Sequence, residues 1–155
     1  MKTIKLMLVV LLMTTFTSCD ILSGGVAVPD EVKKVFRSMY PDAWAVEWEM
    51  EQGKIVVDYR DGLYERESWF DYDGTWIQTR TDLRVKDLPK QVVEAALTFL
   101  GSGWYIEDAE SREQNDTPSF YYVLDCERAF HDHETTLYVA PDGTMLDGSG
   151  LRFFY

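Results

Sequence analysis

The densest group of residues that could do chemistry is His131-Asp132-His133-Glu134. On an extended strand, histidines two apart share a face, as metal ligands must, and a nearby carboxylate would help complete a zinc or copper site. Such a site normally needs a third ligand from elsewhere, and the sequence has no further histidine. A polar hairpin turn is the better account, so His131 and His133 stay weak metal candidates and no cofactor is expected. Asp71-Tyr72-Asp73-Gly74 resembles the opening of a calcium loop, but the twelfth position is Asp82 rather than the closing Glu, and no helices flank it. It reads as a second hairpin turn. Cys126 lies between Asp125 and Glu127, with no positive neighbour in sequence to depress its pKa. No Gly-x-Ser-x-Gly, His-Glu-x-x-His or phosphate-cradling glycine loop is present. Carboxylates are plentiful enough for a two-acid glycosidase, but nothing in their spacing selects one. The expectation is a protein that is not an enzyme.

Aromatic residues are the more informative excess, 22 of 155. Trp44, Trp48, Trp69, Trp76 and Trp104 all fall on or beside expected strands, where most indoles would be core. Along Leu63 to Phe70, alternation puts Tyr64, Arg66, Ser68 and Phe70 on one face and Glu65, Glu67 and Trp69 on the other. Acids beside an indole suit an interface, in which aromatics anchor and charge steers. Glu65, Glu67 and Trp69, with Trp44, Trp48 and Trp76, therefore make up the candidate binding surface.

The elements that would position these residues come in two similar runs. Val28-Pro29-Asp30-Glu31-Val32 is echoed 60 residues later by Leu88-Pro89-Lys90-Gln91-Val92. After each proline, apolar residues follow the i, i+3, i+4, i+7, i+8 stripe of a core-facing helix: Val32, Val35, Phe36, Met39, Tyr40, then Val92, Ala95, Ala96, Phe99, Leu100. The prolines sit where a helix tolerates them, in the first turn. Pro41 stops the first helix and Gly101-Ser102-Gly103 the second. Strict alternation from Trp44 puts Trp44, Val46, Trp48 and Met50 on one side of a strand and Ala45, Glu47, Glu49 and Glu51 on the other. Ile55 to Tyr59, Leu63 to Phe70 and Thr75 to about Arg80 follow as strands, with turns at Gln52-Gly53, Asp61-Gly62 and Asp73-Gly74. The second run has strands at Tyr105 to Ser111, Phe120 to Glu127, Thr135 to Val139 and Thr144 to Leu146. The polar stretch Arg112 to Pro118 hosts most of an insertion, and Thr81 to Asp87 links the halves. The expected class is α+β: two tandem α-β-β-β(-β) repeats, with helices packed on one face of an antiparallel sheet and the other face open.

The chain opens like an exported protein. Lys2 and Lys5 precede an apolar run from Leu6 to Met13, too short to span a bilayer, and a small polar stretch from Thr14 to Ser18. Phe16-Thr17-Ser18-Cys19 resembles a bacterial lipobox, with Phe and Thr departing from its commonest form, and implies lipid on Cys19. The expected division is signal peptide 1–18, tether 19–27, repeat units 28–87 and 88–155. Removing the signal takes the net charge from −12 to −14, because Lys2 and Lys5 leave with it. Such a fold would be repelled by nucleic acid and by anionic membranes, so contact with a membrane is expected through the N-terminal lipid only. Lipidation of Cys19 leaves Cys126 alone, so no internal disulfide is expected. The tail Gly150-Leu151-Arg152-Phe153-Phe154-Tyr155 would pair at a sheet edge or cover the core.

The lipobox, the two Val-Pro/Leu-Pro helix openings, the Tyr40-Pro41-Asp42-Ala43 helix exit and the Asp-Gly-Thr turns together resemble the PepSY-like proteins related in fold to beta-lactamase inhibitory protein, common as lipoproteins in Bacteroidetes. The resemblance covers nearly all of residues 28 to 147 and implies a tandem α-β repeat whose sheet serves as a protein-binding saddle. It implies no beta-lactamase target, and no inhibitory contact carries over residue by residue. The expected function is a non-enzymatic binding module of the cell envelope that engages a protein of basic character, as an inhibitor or otherwise. A glycan-binding lipoprotein using exposed Trp and Tyr, and a metal-binding protein or enzyme centred on His131 and His133, are the alternatives.

Overall fold

A computed structural model of the chain describes residues 26–130, 132–148 and 151. The export signal, Cys19, His131 and the aromatic end Phe153-Phe154-Tyr155 lie outside the described residues.

Helix α1 (Asp30–Met39) follows Pro29 and begins with Asp30 and Glu31, whose charges suit the positive end of the helix dipole. It ends at Tyr40, whose N–H donates to the Phe36 carbonyl at 2.9 Å, immediately before Pro41. Strands β1 (Trp44–Glu51), β2 (Lys54–Asp61), β3 (Tyr64–Phe70) and β4 (Trp76–Leu83) follow, then a 3₁₀ turn (Val85–Asp87). Helix α2 (Lys90–Leu100) follows Pro89 and stops at Gly101, at φ 85°. Strands β5 (Trp104–Gln114), β6 (Phe120–Arg128), β7 (Glu134–Val139) and β8 (Met145–Leu146) complete the order. The eight strands of the described residues form one antiparallel sheet in sequence order, so each pairs with the next one along the chain. With both helices on one face, this is an α+β fold with an open sheet.

The strands run longer than expected at the centre. β4 continues to Leu83 and β5 to Gln114, because six residue pairs from Gln78↔Gln114 to Leu83↔Ala109 join them. Polar residues that read as linker or insertion are thus central strand. Tertiary pairing outweighs their weak β propensity.

Each helix buries its stripe on the strands nearest to it in sequence. Val32 and Phe36 pack with Ile55, Val57, Tyr59 and Phe70; Val92 and Ala96 pack with Ile106, Ala109, Leu124, Cys126, Leu137 and Val139. The two Asp-Gly-Thr turns tuck beneath the helices. The Asp73 carboxylate accepts the Thr75 N–H at 2.9 Å, and Asp142 takes that of Thr144 at 2.9 Å. A Cβ at Gly74 (φ 89°) would come within 3.1 Å of Glu31 Cγ, and one at Gly143 (φ 90°) within 3.1 Å of the Gln91 carbonyl. Positive φ and close approach together require glycine at both turns.

A hydroxyl network joins the first core. Thr79 Oγ1 meets Tyr40 OH at 2.8 Å, Ser68 Oγ at 2.7 Å and Trp76 Nε1 at 2.9 Å, and Ser68 Oγ meets Tyr59 OH at 3.0 Å. Burial pushes the Tyr59 phenol well above its ordinary pKa, so it stays neutral and keeps its proton for the network.

Candidate functional site

Strand register assembles the face that carries neither α1 nor α2, helix-free among the described residues. Because β1 to β6 pair without crossovers, Glu47, Asp58, Glu67, Arg80, Arg112 and Tyr121 form one row across six strands. Arg60 and Glu65 flank that row on one side, and Val56, Trp69, Gln78 and Gln114 flank it on the other. Asp82 and Glu110 stand beside Arg80 and Arg112. Glu47, Asp58, Arg60, Glu65, Glu67, Arg80 and Asp82 surround a cavity of about 290 Å³.

Arg80 is the hub of this surface. Its guanidinium lies 3.7 Å from Glu67, 3.9 Å from Asp82 and 3.5 Å from Glu110, while Arg112 Nε donates to Glu110 at 2.6 Å. Arg60 pairs with Glu65 and lies 5.5 Å from the Trp44 ring centroid. Carboxylates still outnumber the guanidiniums, which leaves some acids costly to ionise. Asp58 is pushed up to about 6, first by burial and then by Glu67 and Glu49, against the opposing pull of Arg80. Burial also raises Asp82 and Glu110. The chemistry available is cation recognition, since partly desolvated carboxylates gain most from a guanidinium or ammonium brought in from outside.

The candidate surface residues divide between the two faces. Glu65, Glu67 and Trp69 share the helix-free face, as alternation requires. Trp69 is buried there and donates its indole N–H to Glu67 at 2.7 Å, fixing that carboxylate from below. Trp44 joins them, contrary to strict alternation: Ala45 has φ 51° and the register slips between Trp44 and Glu47, so Trp44 stands opposite Arg60 instead of on the face of Trp48. Trp48 and Trp76 are on the helix side. Trp48 packs edge-on against Phe36 at 5.3 Å, and Trp76 bonds Thr79. Asp58, Arg80, Asp82 and Glu110 were not singled out from sequence. The signal was the two-residue turn Gly62-Leu63, which fixes Asp58 opposite Glu67.

A second acidic recess of about 320 Å³ lies further along the sheet, lined by Glu107, Asp125, Glu127 and Glu134 with Thr135 and Thr136. The Glu127 carboxylate raises Glu107, while Glu127 itself is held down by the hydroxyl of Tyr105, which donates to it. Cys126 borders this recess, but burial and Asp125 push its thiol up to about 11, which removes it as a nucleophile at neutral pH. Among the described residues, no three His, Cys, Asp or Glu side chains are placed to hold a metal ion, and no helix is long and apolar enough to cross a membrane.

One end of the sheet adds exposed apolar groups. Antiparallel order puts the start of β1, the β2–β3 turn, the start of β5 and the β6–β7 turn at this end. Trp44 and Tyr105 are about half exposed there, Leu63 is 82% exposed and Phe130 fully so.

No family model matches the sequence, and no curated protein matches it. The fold has solved counterparts. The chain is similar to a BLIP-like protein from Bacteroides fragilis at 25% identity, with a TM-score of 0.71 over 84% of this chain and 95% of that one. A DUF2874 family protein from Bacteroides ovatus is 24% identical, with a TM-score of 0.70 over 79% of this chain and 87% of that one. A candidate periplasmic protein from Bacteroides eggerthii is 19% identical, with a TM-score of 0.69 over 79% of this chain and 88% of that one. The chain has the BLIP-like fold.

Proposed function

We propose that this protein is a non-enzymatic binding module of the cell envelope, tethered by lipid on Cys19, that grips a basic protein segment on its helix-free sheet face. The observation that carries the reading is the combination on that face of partly desolvated carboxylates around Asp58 with an exposed apolar rim at Leu63 and Phe130. Apolar anchors beside charge are the anatomy of a protein interface. A sugar platform is less well supported, because Trp44 is the one strongly exposed indole and Arg60 already lies over its ring. The likeness to a BLIP-like protein and to a candidate periplasmic protein supports protein binding and an envelope location.

The tandem-repeat organisation, with units 28–87 and 88–155, belongs to the same proposal, as does the PepSY-like relationship. Each half runs helix then four strands, and each has a register slip near the start of its first strand, at Trp44/Glu47 and at Ile106/Asp108. The two acidic recesses fall at corresponding places: Asp58 on β2 matches Asp125 on β6, and Glu65 on β3 matches Glu134 on β7. The face thus offers a partner two acidic sockets.

The test is capture by the immobilised domain, lipid-free, from detergent-solubilised envelope extract of the source organism. One basic protein should be retained, released by salt, and lost when Phe130→Ala and Asp58→Lys are combined. Retention of the same protein by that double variant would sink the reading, and retention of nothing would direct the next experiment to a glycan array. A second expectation concerns pH. A cation stabilises ionised Asp58, so affinity should be highest above pH 6 and fall as pH drops through about 6, where binding must release the Asp58 proton. Titration calorimetry in buffers of different ionisation heat measures the proton released on binding, and Asp58→Asn should abolish that release.

A further inference from the structure

Among the described residues, strand β1 is the long free edge of the sheet. It spans eight residues, pairs among the described residues only with β2 and has no proline, whereas the opposite edge, β8, has two residues. Its register is broken near Trp44 but unbroken from Glu47 to Glu51, so that stretch offers regularly spaced N–H and C=O groups that are unpaired among the described residues. Its side chains are exposed on both faces of the strand: Val46 at 37% and Met50 at 48%, with Glu47 and Glu49 exposed on the other side. Glu47, Glu49 and Glu51 have no ion-pair partner among the described residues, and Glu47 and Glu49 both raise Asp58 behind them.

We propose that this edge accepts one additional strand from a partner, an extended segment in which Lys or Arg alternates with apolar residues. Main-chain bonds would hold it to Glu47–Glu51, its cations would face the three glutamates, and its apolar residues would cover Trp48 and Met50. Charge selects this occupant. A second copy of the chain pairing β1 to β1 would set glutamate against glutamate across the new ladder, which is destabilising. The site borders the first socket of the sheet face, sharing Glu47 with it, but its main-chain bonds at the strand edge do not depend on the function proposed for that face.

The probe is a capped octapeptide alternating Lys and Val, titrated calorimetrically into the full protein. In a strand, all Lys N–H groups point to one edge and all Val N–H groups to the other, so two peptides are made, N-methylated at every Lys or at every Val. One of the two should lose at least tenfold in affinity while the other stays within threefold of the parent. An isomer with four Lys followed by four Val should bind at least tenfold more weakly, and the double variant Glu49→Lys/Glu51→Lys should lose binding. Phe130→Ala should leave it unchanged, which separates this surface from the rim. Equal binding of both N-methylated peptides would overturn the proposal, because it would show simple charge attraction. So would a dimer of the free protein in sedimentation velocity that the peptide dissociates, since the occupant would then be a second copy.

Discussion

Replacing Thr79 with valine should cost the fold about 2–4 kcal/mol, a large loss for a change that swaps a hydroxyl for a methyl. A threonine hydroxyl can donate once and accept twice, and Thr79 Oγ1 uses all three capacities, on Tyr40, Ser68 and Trp76. Each buried group left without its partner costs about 1–3 kcal/mol. Ser68 keeps its bond to Tyr59, and Tyr40 and Trp76 are only partly buried, so the penalties will not add in full. The control is Thr79→Ser, which keeps the hydroxyl and loses one methyl, at about 1 kcal/mol. Urea unfolding at constant m-value reads both changes. A valine variant within about 0.5 kcal/mol of the parent would show that the network contributes specificity without stability.

The larger effect is expected at Phe36. Its ring is 3% exposed and meets the Trp48, Tyr59 and Tyr40 rings at 5.3, 4.9 and 5.7 Å. Truncation to alanine removes those contacts and leaves a cavity beneath α1 that rigid neighbours cannot fill, at about 3–5 kcal/mol. Phe36→Leu should cost less than half as much. The damage should also be local. The second core shares no buried residue with the first, so amide hydrogens in β1 to β3 should exchange faster in Phe36→Ala while those of β6 and β7 change less. Uniform acceleration across all eight strands would show that the two cores unfold as one unit.

Much of the fold was legible because its signals are local. Pro29 and Pro89 open the helices, Pro41 and Gly101 close them, and Gly53, Gly62, Gly74 and Gly143 mark the turns that alternation then connects. The helix stripes named the right core residues, Val32, Phe36, Val92 and Ala96. What failed depended on pairing. The face of Trp44 was misread because one residue, Ala45, takes a left-handed conformation that no side-chain pattern announces. Polar β4 and β5 ended early in the sequence reading because their stability comes from each other. The acidic site was half legible: Glu65 and Glu67 follow from alternation, but Asp58, Arg80 and Glu110 join them only through cross-strand register, which links residues up to 52 apart in sequence. Trp48 and Trp76 were assigned by aromatic content to a surface, whereas their rings complete the first core.

The strand order has a consequence for how the protein is made. Every strand finds its partner in the one synthesised just before it, mostly across turns of two to five residues, so few contacts wait on distant chain. A polypeptide delivered N-terminus first can therefore fold vectorially. Once Leu83 has emerged, α1 and β1 to β4 hold every buried residue of the first core, while α2 and β5 to β8 are still arriving. During that interval β4 is a temporary edge, and its charged Arg80 and Asp82 are the kind of residue that discourages mispairing with a neighbouring nascent chain.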